Sequence, residues 1–357
     1  MSSVPLEPAI PASLRQDRTL PTKLPPNYTP PFPTFTSRFP ESITEIVMGV
    51  LGVQYRQGTA NDGKAISKLI SFIHNDTTTS INPVFAELAS VTDNVGAYNI
   101  AILAYWPSAA LYEEWSETSG FKSWWNGLDP AAESNGWFLE VFSPSMDRWE
   151  NVLTSPEVLE GASNMRDAVS GQIQEHGYWG SMRDRIPASQ TEGLVGEHYL
   201  DNEESGALHD SLARRIRVPG KKNLTVIRSG QDWSCTLPKE RELYLAKMHP
   251  VLIKGMNFLR DEGSAVGCYS CRFMSILDNL TRKEDKDRTF GLAYFDDLAN
   301  LEKWCRSHKT HLDIFGQFGK YAKELENEIS LKLWHDVMVL SPEQQAFDVQ
   351  LDMSQFQ

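Results

Sequence analysis

Two stretches of the chain, "AYWPSAALYEEW" at residues 104–115 and "AYFDDLANLEKW" at residues 293–304, agree at Ala, Tyr, Ala, Glu and Trp with identical spacing, and both carry an aromatic in third place. Each reads as the end of a strand turning into an amphipathic helix. The chain is therefore expected to hold two copies of one α+β unit, over about 41–150 and 220–345, with a longer insertion between them, the alternative being a chance match between two short strand–helix joints. Working outward, "EIVMGVLGVQYR" (45–56) is the continuous apolar run of a buried strand, and "NDGKAISKLISFIHND" (61–76) sets Ile66, Leu69, Ile70 and Ile73 at helical spacing. In the second copy "LKLWHDVMVL" (331–340) alternates like a half-buried strand and puts His335 on the apolar face. An imidazole there is either a satisfied core histidine or a working group, since desolvating it unpaired costs about 1–3 kcal/mol.

Running both copies forward at fixed offset places His311 opposite Lys122 and His308 opposite Ser119. Positions required by a shared scaffold should keep similar chemistry in both copies, and these do not. The histidines of "SHKTHLDIF" (307–315) read as additions to the second copy. Their spacing leaves two readings open: a metal shared on one helical turn, or one working histidine beside a bystander.

The bulk numbers bound the rest. With 357 residues, 41% hydrophobic residues and ten Trp, the chain can bury a large core and enclose a flat or aromatic ligand. A net charge of -13 without any Lys/Arg cluster argues against a nucleic-acid partner. No apolar run of about 18 residues and no charged-then-apolar leader is present, so neither a membrane span nor a secretory signal is read and a cytoplasmic location is expected. Ten of the twenty prolines fall within residues 1–40, which predicts an extended, partly polyproline-like arm laid over the surface through Tyr28, Phe32 and Phe35, or else a disordered tail. Residues 41–219 would form the first unit with its insertion, and residues 220–357 the second.

Several motifs carry weaker signals. "GTANDGKA" (58–65) nearly matches a phosphate loop, but Ala65 stands where a magnesium-binding hydroxyl belongs. Cys268 and Cys271 match CxxC without a second zinc pair and lie in a strand-like run, so two small residues on one sheet is the plainer reading. "EHGYWGSMRDR" (175–185) is either a loop closing over a ligand or an Arg/Asp ion-pair loop, and Ser229 of "NLTVIRSGQDW" (223–233) is placed at a strand end, bonding a ligand or capping a turn. No acidic residue accompanies the histidines at zinc-ligand spacing, so one histidine holding haem iron with another on its far side suits these residues better than a closed zinc site.

Taken together, "IVMGVLGVQYR" (46–56), "EHGYWGSMRDR", "NLTVIRSGQDW", "GCYSCRF" (267–273) and "SHKTHLDIF" resemble the haem-containing aldoxime dehydratases, from about residue 18 to the last strand near 345. The resemblance implies tandem ferredoxin-like units related to the dimeric α+β barrel, with antiparallel sheets, flanking helices and one haem b in the second half. It implies dehydration of an aldoxime, R-CH=N-OH, to a nitrile, the substrate nitrogen binding ferrous haem. His311 is similar to the proximal iron ligand and His335 to the distal histidine, which would protonate the leaving hydroxyl. Arg185 and Ser229 match distal polar residues, and Glu150 falls where the family has an acidic residue linked to them. His308 would sit at the haem rim, and a homodimer is possible. Competing readings are a haem peroxidase or chlorite-dismutase-like enzyme, or a haem-binding protein without catalysis.

Overall fold

The computed structural model describes residues 5–25, 27–74, 80–177, 181–198 and 214–351. The arm leads through the short strand β1 (Ser37–Arg38) into a first series: β2 (Val47–Tyr55), α1 (Lys64–Ile73), β3 (Phe85–Thr92), β4 (Tyr98–Trp106), α2 (Ala109–Thr118), α3 (Phe121–Gly127) and β5 (Gly136–Phe142). Next come β6 (Trp149–Leu153), β7 (Ala168–Val169), α4 (Ser181–Arg185) and β8 (Arg214–Val218). A second series follows: β9 (Leu224–Asp232), α5 (Pro238–Leu243), α6 (His249–Glu262), β10 (Cys268–Leu277), β11 (Glu284–Phe295), α7 (Leu298–Ser307), α8 (Lys309–Glu324) and β12 (Lys332–Leu340). The last strand is β13 (Gln345–Leu351).

Apart from the pair β1–β7, the strands form one antiparallel sheet in the order β6-β12-β9-β11-β10-β3-β4-β2-β5-β13-β8. Its two quartets, β5-β2-β4-β3 and β12-β9-β11-β10, share one order and join where β10 meets β3 through Ser275↔Ser90 to Leu277↔Leu88. Particular positions of the two quartets correspond. Helices α2 and α7 begin and end at equivalent positions, each capped by a side chain just before it: Ser108 accepts from Leu111 N–H and Asp297 from Asn300 N–H. Gly52 lies opposite Phe138 in β2–β5, and Gly230 opposite Trp334 in β9–β12. A Cβ at Gly52 would fall 1.9 Å from the Phe138 ring, and one at Gly230 would fall 2.1 Å from Trp334. Both glycines let an aromatic ring lie across the neighbouring strand.

One face of the sheet curls around a core drawn from both halves, including Met48, Tyr105, Val226, Phe290, Tyr294 and Trp334. The other face is covered by helices, separately in each half. In the first, Leu51, Leu139, Trp115, Phe121, Trp125 and Trp137 pack together. In the second, Val337 and Val339 of β12 meet Leu301 and Trp304 of α7. Period-2 alternation along β12 therefore sends His335 toward the helices and Asp336 toward the shared core.

Each half also lends a strand to the other. β6, just after the first quartet, adds to β12, and β13, after the second, adds to β5. The arm follows the surface as an extended segment, bridging to Ile173 at Glu7 and to Leu153 at Phe35. Phe32 meets Phe318 of α8 edge-on at 5.5 Å. Among the described residues, no helix is long and apolar enough to cross a membrane.

Candidate active site

Strand register assembles the first part of the site. His335 lies directly opposite Ser229, so both project from the same face of the sheet. Ser229 is the sixth residue of the nine in β9, not at a strand end, because the strand continues through Gly230 beneath the Trp334 ring. Capping a turn is thereby removed as its job. Its hydroxyl is half-buried and has no protein partner among the described residues. On the other side of β12, Val337 pairs with Glu150 of β6, which puts the carboxylate on that same face two residues along from His335.

Arg185, the last residue of α4, closes the cluster. Its Nε donates to Glu150 Oε2 at 2.7 Å and its Nη2 to Oε1 at 3.0 Å, a bidentate pair whose side chains are 3% and 2% exposed. Nη1 is held by the Glu175 carbonyl at 2.7 Å and by Ser181 Oγ at 2.9 Å. His335 Nε2 stands 3.0 Å from Glu150 Oε1 and 3.0 Å from Arg185 Nη2. A nitrogen placed between an acceptor and a donor is satisfied whether or not it carries a proton. The imidazole, 24% exposed, is the open end of an otherwise buried triad. Burial alone would raise the Glu150 carboxyl, but Arg185 and His335 outweigh it and hold it down at about 2.

His311 lies in the first turn of α8. Burial pushes its imidazole down to about 4, against a smaller upward effect from a hydrogen bond to the Cys305 carbonyl. Its ring stands edge-on to Trp304 at 4.6 Å. Two turns further along the helix, Phe318 joins the apolar cluster that also takes in Leu333, two residues before His335 on its strand face. Through Trp304 and Phe318 the helix bearing His311 is tied to the sheet face bearing His335. His308 is the N-cap of the same turn, its carbonyl accepting from the His311 amide at 3.1 Å, but its ring goes elsewhere: it stacks on Phe258 at 4.2 Å, and its Nδ1 lies 2.9 Å from Thr310 Oγ1.

Of the sequence readings, His335, Ser229, Arg185 and Glu150 come together on one face, with His311 on the helix layer above. In the Arg loop, Tyr178, Trp179 and Gly180 lie outside the described residues, and the ion-pair reading does not hold. Asp184 pairs with neither flanking arginine: Arg183 goes to Glu302, Arg185 to Glu150, and Asp184 accepts backbone amides of the arm. Cys268 and Cys271 form no disulfide and are buried against the helices, and burial pushes the Cys268 thiol up to about 12, away from the reactive thiolate. Sequence reasoning missed Ser181 and Glu175 as supports of Arg185, and His176, whose imidazole is pushed down to about 4 by burial and then by Arg185 and His335. All three stood inside the quoted loop motif, without any spacing to single them out. Among the described residues one other group has metal-ligand chemistry, His198 with Asp296 and Asp297, but these carboxylates already hold Asn300 Nδ2 and the Asn300 amide, each at 2.8 Å.

A family model described as haem-containing dehydratase matches residues 49–349. An aliphatic aldoxime dehydratase of Pseudomonas chlororaphis is 36% identical over 96% of this chain and 95% of its own length. A phenylacetaldoxime dehydratase of a Bacillus species is 27% identical over 92% of this chain and 90% of its own. The crystal structure of an aldoxime dehydratase in complex with butyraldoxime superposes with a TM-score of 0.88 at 34% identity, covering 98% of this chain and 96% of that one.

Proposed function

The chain belongs to the haem-containing dehydratase family, and from that premise we propose that it converts aldoximes to nitriles with haem b held by His311 and His335 acting as proton donor. The shared strand order of the two quartets supports reading them as tandem ferredoxin-like units, with the haem in the second. The absence of a membrane-spanning helix among the described residues is compatible with work in the cytoplasm.

His311 suits the cofactor. A neutral imidazole has one N–H and one lone pair; the Cys305 carbonyl accounts for the N–H, which fixes the tautomer and leaves the lone pair as the donor an iron needs. Bound ferrous haem would supply an iron for the oxime nitrogen and electron density to weaken the N–O bond. The remaining work falls to the chain. Ser229, beside His335 on the same face, offers a hydroxyl to orient the oxime O–H. His335 gives its proton to that oxygen, so that the N–O bond breaks as water forms; the neutral ring then takes the hydrogen of the former oxime carbon as the nitrile closes. Atoms balance, and His335 regains the proton it gave.

The observation that carries this reading is the position of His335 Nε2, 3.0 Å from a carboxylate and 3.0 Å from a guanidinium. Glu150 accepts from His335 Nε2–H, which stabilises the imidazolium before proton transfer and keeps the neutral ring in its Nε2–H tautomer after it. With Nε2 so held, Nδ1 is left for the substrate. Arg185 also keeps Glu150 ionised, so that the carboxylate does not compete as the acid. The test is reduced, haem-loaded protein with an aldoxime under anaerobic conditions, followed by chromatography. Nitrile should appear in step with loss of aldoxime; peroxide turnover without nitrile would overturn the assignment.

A further inference from the structure

The arm reaches the site through the residue next to Arg185. Asp184 is 1% exposed, and its carboxylate accepts from two successive arm amides: Lys23 N–H at 2.8 Å to Oδ1 and 2.9 Å to Oδ2, and Leu24 N–H at 2.9 Å to Oδ2. The carbonyl of Asp184 accepts from Arg18 at 3.2 Å. Leu24 also seats its side chain on the loop: a Cβ at Gly177 would fall 2.5 Å from Leu24 Cδ2. The Gly177 carbonyl accepts from Ser181 Oγ, and Ser181 Oγ accepts from Arg185 Nη1 at 2.9 Å. Two routes thus run from Leu24 to the guanidinium, one along the backbone from Asp184 and one through Gly177 and Ser181.

Among the described residues helix α4 spans Ser181–Arg185 and ends on Arg185, so the direction of that side chain depends on what holds the helix end. We propose that Asp184 is a positioning residue: by gripping the Lys23 and Leu24 amides it fixes Arg185 against Glu150 and His335, so that docking of the arm and assembly of the catalytic triad are one event. This rests on the role given to Arg185 above. A carboxylate flanked by two arginines would ordinarily pair with one of them. Here Glu302 and Glu150 take both, and the buried Asp184 is left to make charge-assisted bonds to backbone. Other contacts hold the arm independently, so replacing Asp184 does not detach it: Thr19 and Leu20 N–H bond the Gln190 carbonyl at 3.0 and 3.1 Å, and Ala9 N–H bonds Glu175 at 2.8 Å.

The experiment compares wild type, Asp184→Asn, Arg185→Lys and the double variant, each as full-length haem-loaded enzyme. Asparagine keeps the shape but turns its own N–H groups toward the Lys23 amide donor, which either oxygen of Asp184 accepts. The expected result is a kcat for nitrile formation lowered about 10- to 100-fold, the scale of a misplaced catalytic group. KM, haem content and the haem spectrum should stay near wild type, and limited proteolysis should cut faster around residues 18–24. In the Arg185→Lys background the same substitution should have little further effect, since Asp184 acts through Arg185. Unchanged kcat in Asp184→Asn, or losses that multiply in the double variant, would overturn the proposal while leaving the reaction intact. Wild-type protein that makes no nitrile would refute the reading of the reaction itself, and this inference with it.

Discussion

The two halves of the molecule are built alike and used differently. Where the second half pairs His335 with Ser229, the first pairs Leu139 with Leu51 at the equivalent rungs, beside the matching Phe138–Gly52 and Trp334–Gly230 contacts. Trp115 and Trp304 hold the same place in α2 and α7, yet Trp115 donates to the Phe72 carbonyl at 2.9 Å and Trp304 to Thr310 at 3.2 Å, beside His311. Lys122, opposite His311 in the repeat, is a surface residue bonded to Glu113 and Glu117. Its helix α3 has 7 residues, whereas α8 has 16. The first half closes its helix layer with stacked rings, Trp115 on Phe121 at 5.2 Å and Phe121 on Trp125 at 5.7 Å. A duplicated scaffold can keep its strand pairing while one copy packs with aromatics what the other leaves for chemistry.

The largest expected break in that contrast is His311→Ala, which should fold but lose bound haem and its absorbance, while Lys122→Ala should leave haem content and turnover unchanged. A haem-replete His311→Ala protein would reassign the ligand. Next in size is Glu150→Gln, which leaves Arg185 buried without its counter-charge. Breaking a buried pair of this kind costs about 3–5 kcal/mol. Chemical denaturation should register that loss, with turnover falling alongside it; wild-type stability would mean that the pair does not hold the site together.

Acid should dismantle the haem-free protein in two windows. His311 and His176 have folded pKa values near 4 against 6.5 in the open chain, so the unfolded state binds more protons between these limits. Their stabilisation is full above about pH 6.5 and is lost as pH falls toward about 4. The contribution of Glu150 is present above its ordinary 4.5 and is lost only toward about 2. Denaturation midpoints measured from pH 7 to 3 should therefore begin to fall near 6.5; a flat profile down to 4.5 would contradict neutral burial of both imidazoles. The smallest effect concerns what the halves share. Gly52→Ala and Gly230→Ala should each cost about 1–3 kcal/mol by overpacking a ring. A loss confined to one of them would deny the equivalence of the two joints.

Much of this was legible in the sequence where chemistry leaves a period or a repeat. The strand of residues 331–340 and the matched stretches at 104–115 and 293–304 announced themselves because alternation and identical spacing follow from burial on one face. Long-range strand exchange left no such trace. β6 crosses to β12 and β13 to β5, so nothing local said that Glu150 would lie beside His335, 185 residues on. The partners of Asp184 were hidden for a different reason: backbone amides carry no signature in a side-chain sequence. The motif placed Asp184 between two arginines and suggested an ion pair, whereas both arginines go to acids from other elements.

The account depends most on His335 as the proton donor that the first half lacks. The direct measurement uses the His335→Ala protein, haem-loaded and reduced, titrated with an aldoxime while the haem spectrum and nitrile yield are followed together. Spectral change on binding, with haem retained and nitrile formation reduced about 100-fold or more, is the predicted result. Nitrile formation at the wild-type rate in that protein would contradict it.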